Sequence, residues 1–347
     1  MSKIIILGAG AMGSAFSLPC VDNNHETIIA GTHLDNKFIE YINHNDNFHP
    51  TLNVKLSNKI KFIKDKDLLN NKYHSASLIV IATNSKGLDW SVEKLNLICK
   101  SKELPPILLL TKGLSVYNNK FEILAEKLER ILILQGFQNI NISAVGGPCL
   151  ASDLANKIHS CVIIANKDLK TANWLKQLLK TNYYHVFVTD DIVGVEISAA
   201  IKNIFSMVIG SAKVMSYLSE NHNNNTKYLN TSAALFNQCV YEMELFVSSL
   251  NGKKETVKGL AGIGDLYVSA AGGRNSLMGS YLGEGFFYAE VKNNQMKNIT
   301  IEGAELAFEI FELVSKHFNV KQMPLMFSMM DAIINNKKLE INWNYFN

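Results

Sequence analysis

At 347 residues, with 47% hydrophobic and 19% charged side chains, the chain has the length of two ordinary soluble globular domains, each able to bury its own core. A net charge of +3 without a basic tract gives no electrostatic case for nucleic acid, and the nine histidines form no pair at metal-ligand spacing, so no metal is expected. The five cysteines, Cys20, Cys99, Cys149, Cys161 and Cys239, are far apart and lack a CxxC pair, as thiols kept reduced inside a cell would be. A first strand that begins by Ile4 leaves no room for a signal peptide, and no apolar run approaches the roughly 18 residues of a membrane span, so a cytoplasmic protein without a membrane partner is expected.

Lys3–Leu7 (KIIIL) is a β-branched run followed directly by GAGAMG; Ser14–Val21 then reads as a helix and Thr27–Gly31 as a second strand. Further apolar runs stand at Ser77–Ala82, Pro106–Leu110, Ile142–Val145 and Cys161–Ala165. Most are uninterrupted, as strands buried on both faces should be, and helical stretches such as Phe121–Leu134 fall between them. This alternation predicts a Rossmann-type, doubly wound parallel sheet over residues 1–190. From about 191 to 347 the chain reads as helices, with an Asn-rich break at Asn221–Asn225, later helices at Glu302–Phe318 and Pro324–Asn335, and a polar tail beyond Asn336.

The string Gly8-Ala9-Gly10-Ala11-Met12-Gly13 is a GxGxxG that ends a strand and opens a helix, the context a dinucleotide site requires. Gly8 permits a tight turn, Gly10 lets a pyrophosphate approach the backbone, and Gly13 allows close helix–strand packing, with the phosphates on a helix N-terminus. An acid about 20 residues on, at the end of the second strand, would bind the ribose of NAD. Gly31, Thr32 and His33 stand there and the first acid is Asp35, so NAD and NADP both remain open, with His33 or Lys37 available to a 2′-phosphate.

Ile197, Ile201, Ile204, Phe205, Val208, Ile209 and Ala212 recur at helical spacing, and Lys202 and Asn203 interrupt this apolar helix. A desolvated lysine there is suited to proton transfer, although the helix alone favours a stem that packs while the amine reaches solvent. In GLAGIGDLYVSAAGGRN (259–275), Asp265, Ser269, Arg274 and Asn275 lie among glycines, a set of groups suited to a small phosphorylated polyol or to a glycine-rich helix–loop junction.

Together the motifs GAGAMG (8–13), TKGL (111–114), GGPC (146–149), AAIKNIF (199–205), GLAGIGDL (259–266), GGRN (272–275) and IEG (301–303) resemble the NAD(P)-dependent glycerol-3-phosphate dehydrogenases over nearly the whole length. The resemblance implies a C-terminal domain like that of 6-phosphogluconate dehydrogenase, a homodimer, and interconversion of dihydroxyacetone phosphate and sn-glycerol 3-phosphate for phospholipid synthesis. It assigns Lys202 as general acid/base and places Lys112 beside the reacting carbons. Asp265 would contact the lysine and the substrate hydroxyl; Asn203 and Ser269 would face the substrate, and Arg274 and Asn275 its phosphate. On the coenzyme side it implies Gly8, Gly10, Ala11, Met12, Gly13, Lys112, Gly147, Pro148, Arg274 and Glu302.

The chain departs from the family's bacterial pattern at Cys149, where serine is usual, and lacks an arginine after the second strand. The stretch 225–243 has no arginine either, and GGRN is closer to the eukaryotic form. A related two-domain dehydrogenase for another polyol phosphate or a hydroxy acid, and a catalytically silent dinucleotide sensor, are the alternatives.

Overall fold

The computed structural model describes residues 1–69, 75–99, 102–215 and 229–346; the Asn-rich break at Asn221–Asn225 lies outside them. The chain divides into two compact units, Met1–Lys112 with Leu124–Ile192, and Gly113–Ile123 with Val193–Asn347. The elements run β1 (Lys3–Leu7), α1 (Ala11–Asp22), β2 (Glu26–Ala30), α2 (Asn36–His44), β3 (Phe48–His49), β4 (Val54–Lys55), β5 (Ile60–Ile63), β6 (Leu78–Ile81), α3 (Leu88–Ile98) and β7 (Ile107–Leu109). After the hairpin β8 (Leu114–Tyr117) and β9 (Lys120–Ile123) come α4 (Leu124–Leu134), β10 (Ile142–Gly146), α5 (Ala151–Ala155), β11 (Ser160–Ala165), α6 (Leu169–Leu179) and β12 (Tyr184–Thr189).

Eight strands of the first unit form one sheet in the order β12-β11-β10-β7-β6-β1-β2-β5. From β10 to β5 the neighbours are parallel, whereas β10 and β11 pair antiparallel, so β11 and β12 run against the rest. The expected parallel sheet is therefore mixed at one edge. The short α5 returns the chain beside β10 in the opposite sense, which needs no full crossover.

Central strands β1, β6 and β7 are buried almost throughout, which is why they appear as continuous apolar runs. The two strands of this sheet that the sequence leaves unmarked, β5 and β12, are its edges. In β5, Ile60 and Phe62 are buried around an exposed Lys61; in β12, Tyr184 and Val186 are buried and Phe187 is exposed. An edge strand with one wet face alternates in polarity and carries no apolar block. Phe121 lies in β9 rather than in the helix expected from that residue; α4 begins at Leu124 and buries Leu124, Ala125, Leu128 and Leu132.

The second unit contains α7 (Ile192–Met215), α8 (Leu229–Ser249), α9 (Lys254–Lys258), α10 (Asp265–Ala271), α11 (Arg274–Gly283), α12 (Tyr288–Asn293), α13 (Glu302–His317) and α14 (Pro324–Ile334). It is not wholly helical, because the β8–β9 hairpin, on the N-terminal side of the division drawn at 190, belongs to it. Asn118 and Asn119 take positive φ of 49° and 55°, the two-residue turn that suits strand twist. Phe121 then packs its ring 5.1 Å from that of Phe246 and 5.4 Å from that of His317, which ties the hairpin to the helices.

Helix α7 is the axis of this unit. Within Ile192–Ala212 an 18-residue window reaches a mean hydropathy of 1.7, long and apolar enough to cross a membrane, contrary to the expectation from sequence; 89% of that window is buried in the protein, as suits a core helix. Glu196 and Lys202 interrupt the run and conceal it when apolar residues alone are counted. Helix α11 meets α7 backbone to backbone: a Cβ on Gly279 would collide with the Met207 carbonyl, one on Gly210 with the Ser276 carbonyl, and one on Gly283 would lie 2.5 Å from the Ser211 oxygen.

Helix α8 contributes the fully buried Glu242, which caps α14. Its carboxylate accepts the N–H groups of Leu325 and Met326, both at 2.9 Å, and the Gln238 amide at 3.2 Å. Pro324 occupies the first turn, where a missing N–H costs nothing. Burial pushes the Glu242 carboxyl up to about 7, and the hydrogen bonds only partly oppose this.

Two outcomes follow in stability measurements. Gly279→Ala is expected to cost about 2 kcal/mol or more in chemical denaturation, and Gly259→Ala, whose Cβ meets nothing closer than 3.5 Å, about 0.5 kcal/mol or less. Equal effects would refute the close-packing argument. Because folding raises the Glu242 pKa from 4.5 to about 7, the native state holds more protons across that window. This contribution is full below pH ~4.5 and is lost as pH rises through ~7. Glu242→Gln, though less stable overall, should flatten the fall in Tm between about pH 5 and pH 8; an unchanged slope would assign the fall to other groups.

Candidate active site

The carboxyl ends of parallel strands β10, β7, β6, β1 and β2 lie along one edge of the first unit's sheet, the edge at which open α/β sheets take ligands. There β1 turns through Gly8 at φ +117°, where a Cβ would lie 2.9 Å from the Ala82 backbone. Gly13 packs against the Gly8 carbonyl and the Ala82 side chain, whereas a Cβ on Gly10 would meet nothing within 4 Å. Gly10 is also the N-cap of α1, with no capping side chain and no acid in the first turn, which Ala11, Met12 and Gly13 form. Open space above unblocked helix amides fits a pyrophosphate.

Along the same edge, Thr111 donates through its hydroxyl to the Thr83 carbonyl at 2.7 Å, which fixes the turn after β7 that carries the half-buried Lys112. Gly147, at φ +122°, and Pro148 follow β10. After β2, Asp35 folds back to accept the Thr32 N–H at 2.7 Å and the Thr32 hydroxyl at 2.8 Å, so it caps its own turn; His33 and Lys37 are exposed beside it.

The second unit gathers the remaining residues. Lys202, on α7, is ion-paired with Asp265, the first residue of α10; their side chains are only 8% and 4% exposed. The ammonium also donates to the Ser269 hydroxyl at 2.8 Å. Asp265 and Ser269 face Lys202 together because they stand four positions apart on one helix. The adjacent Asn203 accepts a hydrogen bond from the buried Asn275 at 3.1 Å, and Asn275 in turn accepts the Gly303 N–H at 3.0 Å. Arg274, half-exposed at the start of α11, is ion-paired with Glu302 at the start of α13.

The second unit thus holds three groups, Lys202–Asp265–Ser269, Asn203–Asn275–Gly303 and Arg274–Glu302, linked through consecutive residues of α7, α11 and α13, and the glycine-turn residues, Lys112, Gly147 and Pro148 share the sheet edge of the other unit. The 259–275 run is mostly helical rather than a loop: a π-type turn over Leu260–Gly264, then α10, then a break at Gly272–Gly273 where Gly273 has φ +95°. Sequence reasoning missed Gly303 as a partner of Asn275, although it closes the IEG string. It also missed Gly279 and Gly283, whose four-residue spacing was the visible signal of close helix contact.

The pair itself is testable by a double-mutant cycle. Asp265→Ala takes the carboxylate away from a buried ammonium and is expected to cost about 3 kcal/mol, whereas Lys202→Met combined with Asp265→Ala should cost clearly less than the sum of the two single substitutions. Additive losses in chemical denaturation would show that the two side chains do not interact.

Residues 3–172 match the family model described as NAD-dependent glycerol-3-phosphate dehydrogenase N-terminus, and residues 191–343 the corresponding C-terminus. The NADP(+)-dependent glycerol-3-phosphate dehydrogenase of Archaeoglobus fulgidus is 31% identical over 315 residues, 90% of each chain. A glycerol-3-phosphate dehydrogenase [NAD(P)+] of Francisella philomiragia is 28% identical over 96% of this chain and 93% of its own. Among solved structures, the glycerol-3-phosphate dehydrogenase of Coxiella burnetii shares the fold with a TM-score of 0.77 at 24% identity, covering 97% of this chain and 96% of that one. With glycine turn, buried lysine and arginine-bearing helix in family order, the chain belongs to the NAD-dependent glycerol-3-phosphate dehydrogenases.

Proposed function

We propose that this protein interconverts dihydroxyacetone phosphate and sn-glycerol 3-phosphate, with NAD or NADP as coenzyme, and supplies glycerol phosphate for phospholipid synthesis as a cytoplasmic homodimer. The observation that carries the reading is the buried Lys202–Asp265–Ser269 cluster, whose lysine adjoins the Asn203–Asn275 pair and hence Arg274. A proton-transfer group thus stands next to a phosphate grip. Family membership and the relatives' names support the same substrate.

The coenzyme, when bound, supplies the hydride for ketone reduction or accepts it from the alcohol carbon. Lys202 holds the substrate's C2 oxygen as an ammonium and gives it a proton as negative charge develops there, so that ketone, hydride and proton sum to the secondary alcohol. In the reverse direction the neutral amine takes that proton. Asp265 offsets the ammonium's charge and accepts from a substrate hydroxyl, and Ser269 steadies the amine. By the family resemblance, Lys112 would add a second cation to polarise the carbonyl.

Arg274 grips the phosphate by parallel charge-assisted bonds, with the Asn275 and Asn203 amides as further donors. Binding energy at the phosphate then orients the carbonyl two carbons away. Gly8, Gly10, Ala11, Met12 and Gly13 would hold the coenzyme pyrophosphate, Gly147 and Pro148 would border its nicotinamide, and Glu302 with Arg274 would reach its ribose.

Purified protein should oxidise NADH or NADPH when given dihydroxyacetone phosphate, followed by loss of the reduced nicotinamide's near-ultraviolet absorbance. Turnover with neither coenzyme would refute the assignment. Lys202→Ala is expected to lower kcat by roughly 10²–10⁴-fold and to leave coenzyme affinity nearly intact. Unchanged turnover in that variant would remove Lys202 from the chemistry.

A further inference from the structure

Gly303 contributes neither charge nor side chain, yet three segments of the second unit meet at it. Its N–H, near the start of α13, has no acceptor within its own helix and donates instead to Asn275 Oδ1 at 3.0 Å. Asn275 Nδ2 then donates to Asn203 Oδ1 at 3.1 Å. The approach depends on glycine, since a Cβ there would lie 2.5 Å from the Asn203 carbonyl oxygen and 2.8 Å from Met207 Cε. The preceding residue, Glu302, holds Arg274, so two consecutive residues of α13 engage two consecutive residues of α11.

A side-chain amide can be turned end for end without changing its shape, and its hydrogen-bond partners decide which end faces where. A backbone N–H is only ever a donor. Gly303 therefore obliges Asn275 to turn its oxygen inward, which leaves the Asn275 amino group for Asn203. Asn203 must answer with its own oxygen, and so its amino group is the end left for a ligand. Each amide oxygen accepts a bond inside the chain, and the amide hydrogens not used there remain as donors. A phosphate dianion has acceptors only, so donors without a competing carbonyl suit it.

We propose that Gly303 is a positioning residue for phosphate recognition: its backbone amide sets the polarity of the Asn275–Asn203 pair so that both side chains present donors to the substrate. The proposal rests on the functional reading above, and the test separates the two. In Gly303→Ala, kcat/KM for dihydroxyacetone phosphate should fall by about tenfold or more, mainly through KM, because a Cβ 2.5 Å from the Asn203 carbonyl pushes the residue-303 N–H away from Asn275 and releases its amide to turn. For unphosphorylated dihydroxyacetone the same ratio should stay within about twofold of wild type.

A parallel loss on both substrates, or no loss on either, overturns the proposal. A wild-type protein inactive with dihydroxyacetone phosphate overturns the functional reading instead. If Gly303→Ala does not fold, hydrogen exchange in the wild type decides. Slow exchange of the Gly303 amide, slowed about tenfold further by sn-glycerol 3-phosphate, supports the proposal, and exchange at the rate of an unbonded helix-start amide overturns it.

Discussion

An ammonium buried in an apolar helix is tolerable only if a counter-charge and hydrogen-bond acceptors are carried to it. Helix α7 has that need at Lys202, and much of the second unit's arrangement answers it. Asp265 and Ser269 reach the amine from one face of α10. The desolvation that makes the lysine costly in stability also suits it to proton transfer, because its charge is felt strongly where water is excluded. The pair is therefore weak grounds for stability and strong grounds for function.

Glycine makes the arrangement geometrically possible. Gly210, Gly279 and Gly283 let α7 and α11 approach at backbone distance, and Gly303 does the same for the start of α13. Each removes a side chain that would push apart the helices on which Asn275 meets Asn203. The cap that Glu242 places on α14 is the same solution with opposite charge: a buried carboxylate is kept because helix amides surround it. In both places an apolar helix bundle accepts an ionisable group by delivering partners from a second helix.

How much of this was visible beforehand depended on the environment of each element. Central strands β1, β6 and β7 could be read because burial on both faces demands continuous apolar residues. Edge strands β5 and β12 could not, since a wet face breaks the run. The β8–β9 hairpin was missed because its turn is Asn-Asn and its strands are four residues each, too short for periodicity to register. Lys202, Asp265 and Ser269 prove to be hydrogen-bonded neighbours, but a helix–loop junction over 259–275 does not reveal that helix α10 sets the spacing of Asp265 and Ser269.

The sequence by itself determined the dinucleotide turn, the apolar character of α7 and the identity of the residues around its lysine. Local chemistry dictates these: a strand, a glycine turn and a helix are contiguous, and motif order survives without coordinates. Only the tertiary structure decided that β11 and β12 reverse direction, that residues 113–123 join the helical unit, and that Asp35 is spent on its own turn. It alone decided that Gly303 faces Asn275 as well. Those outcomes depend on which distant backbones approach closely enough to exchange hydrogen bonds, and no linear spacing records that distance.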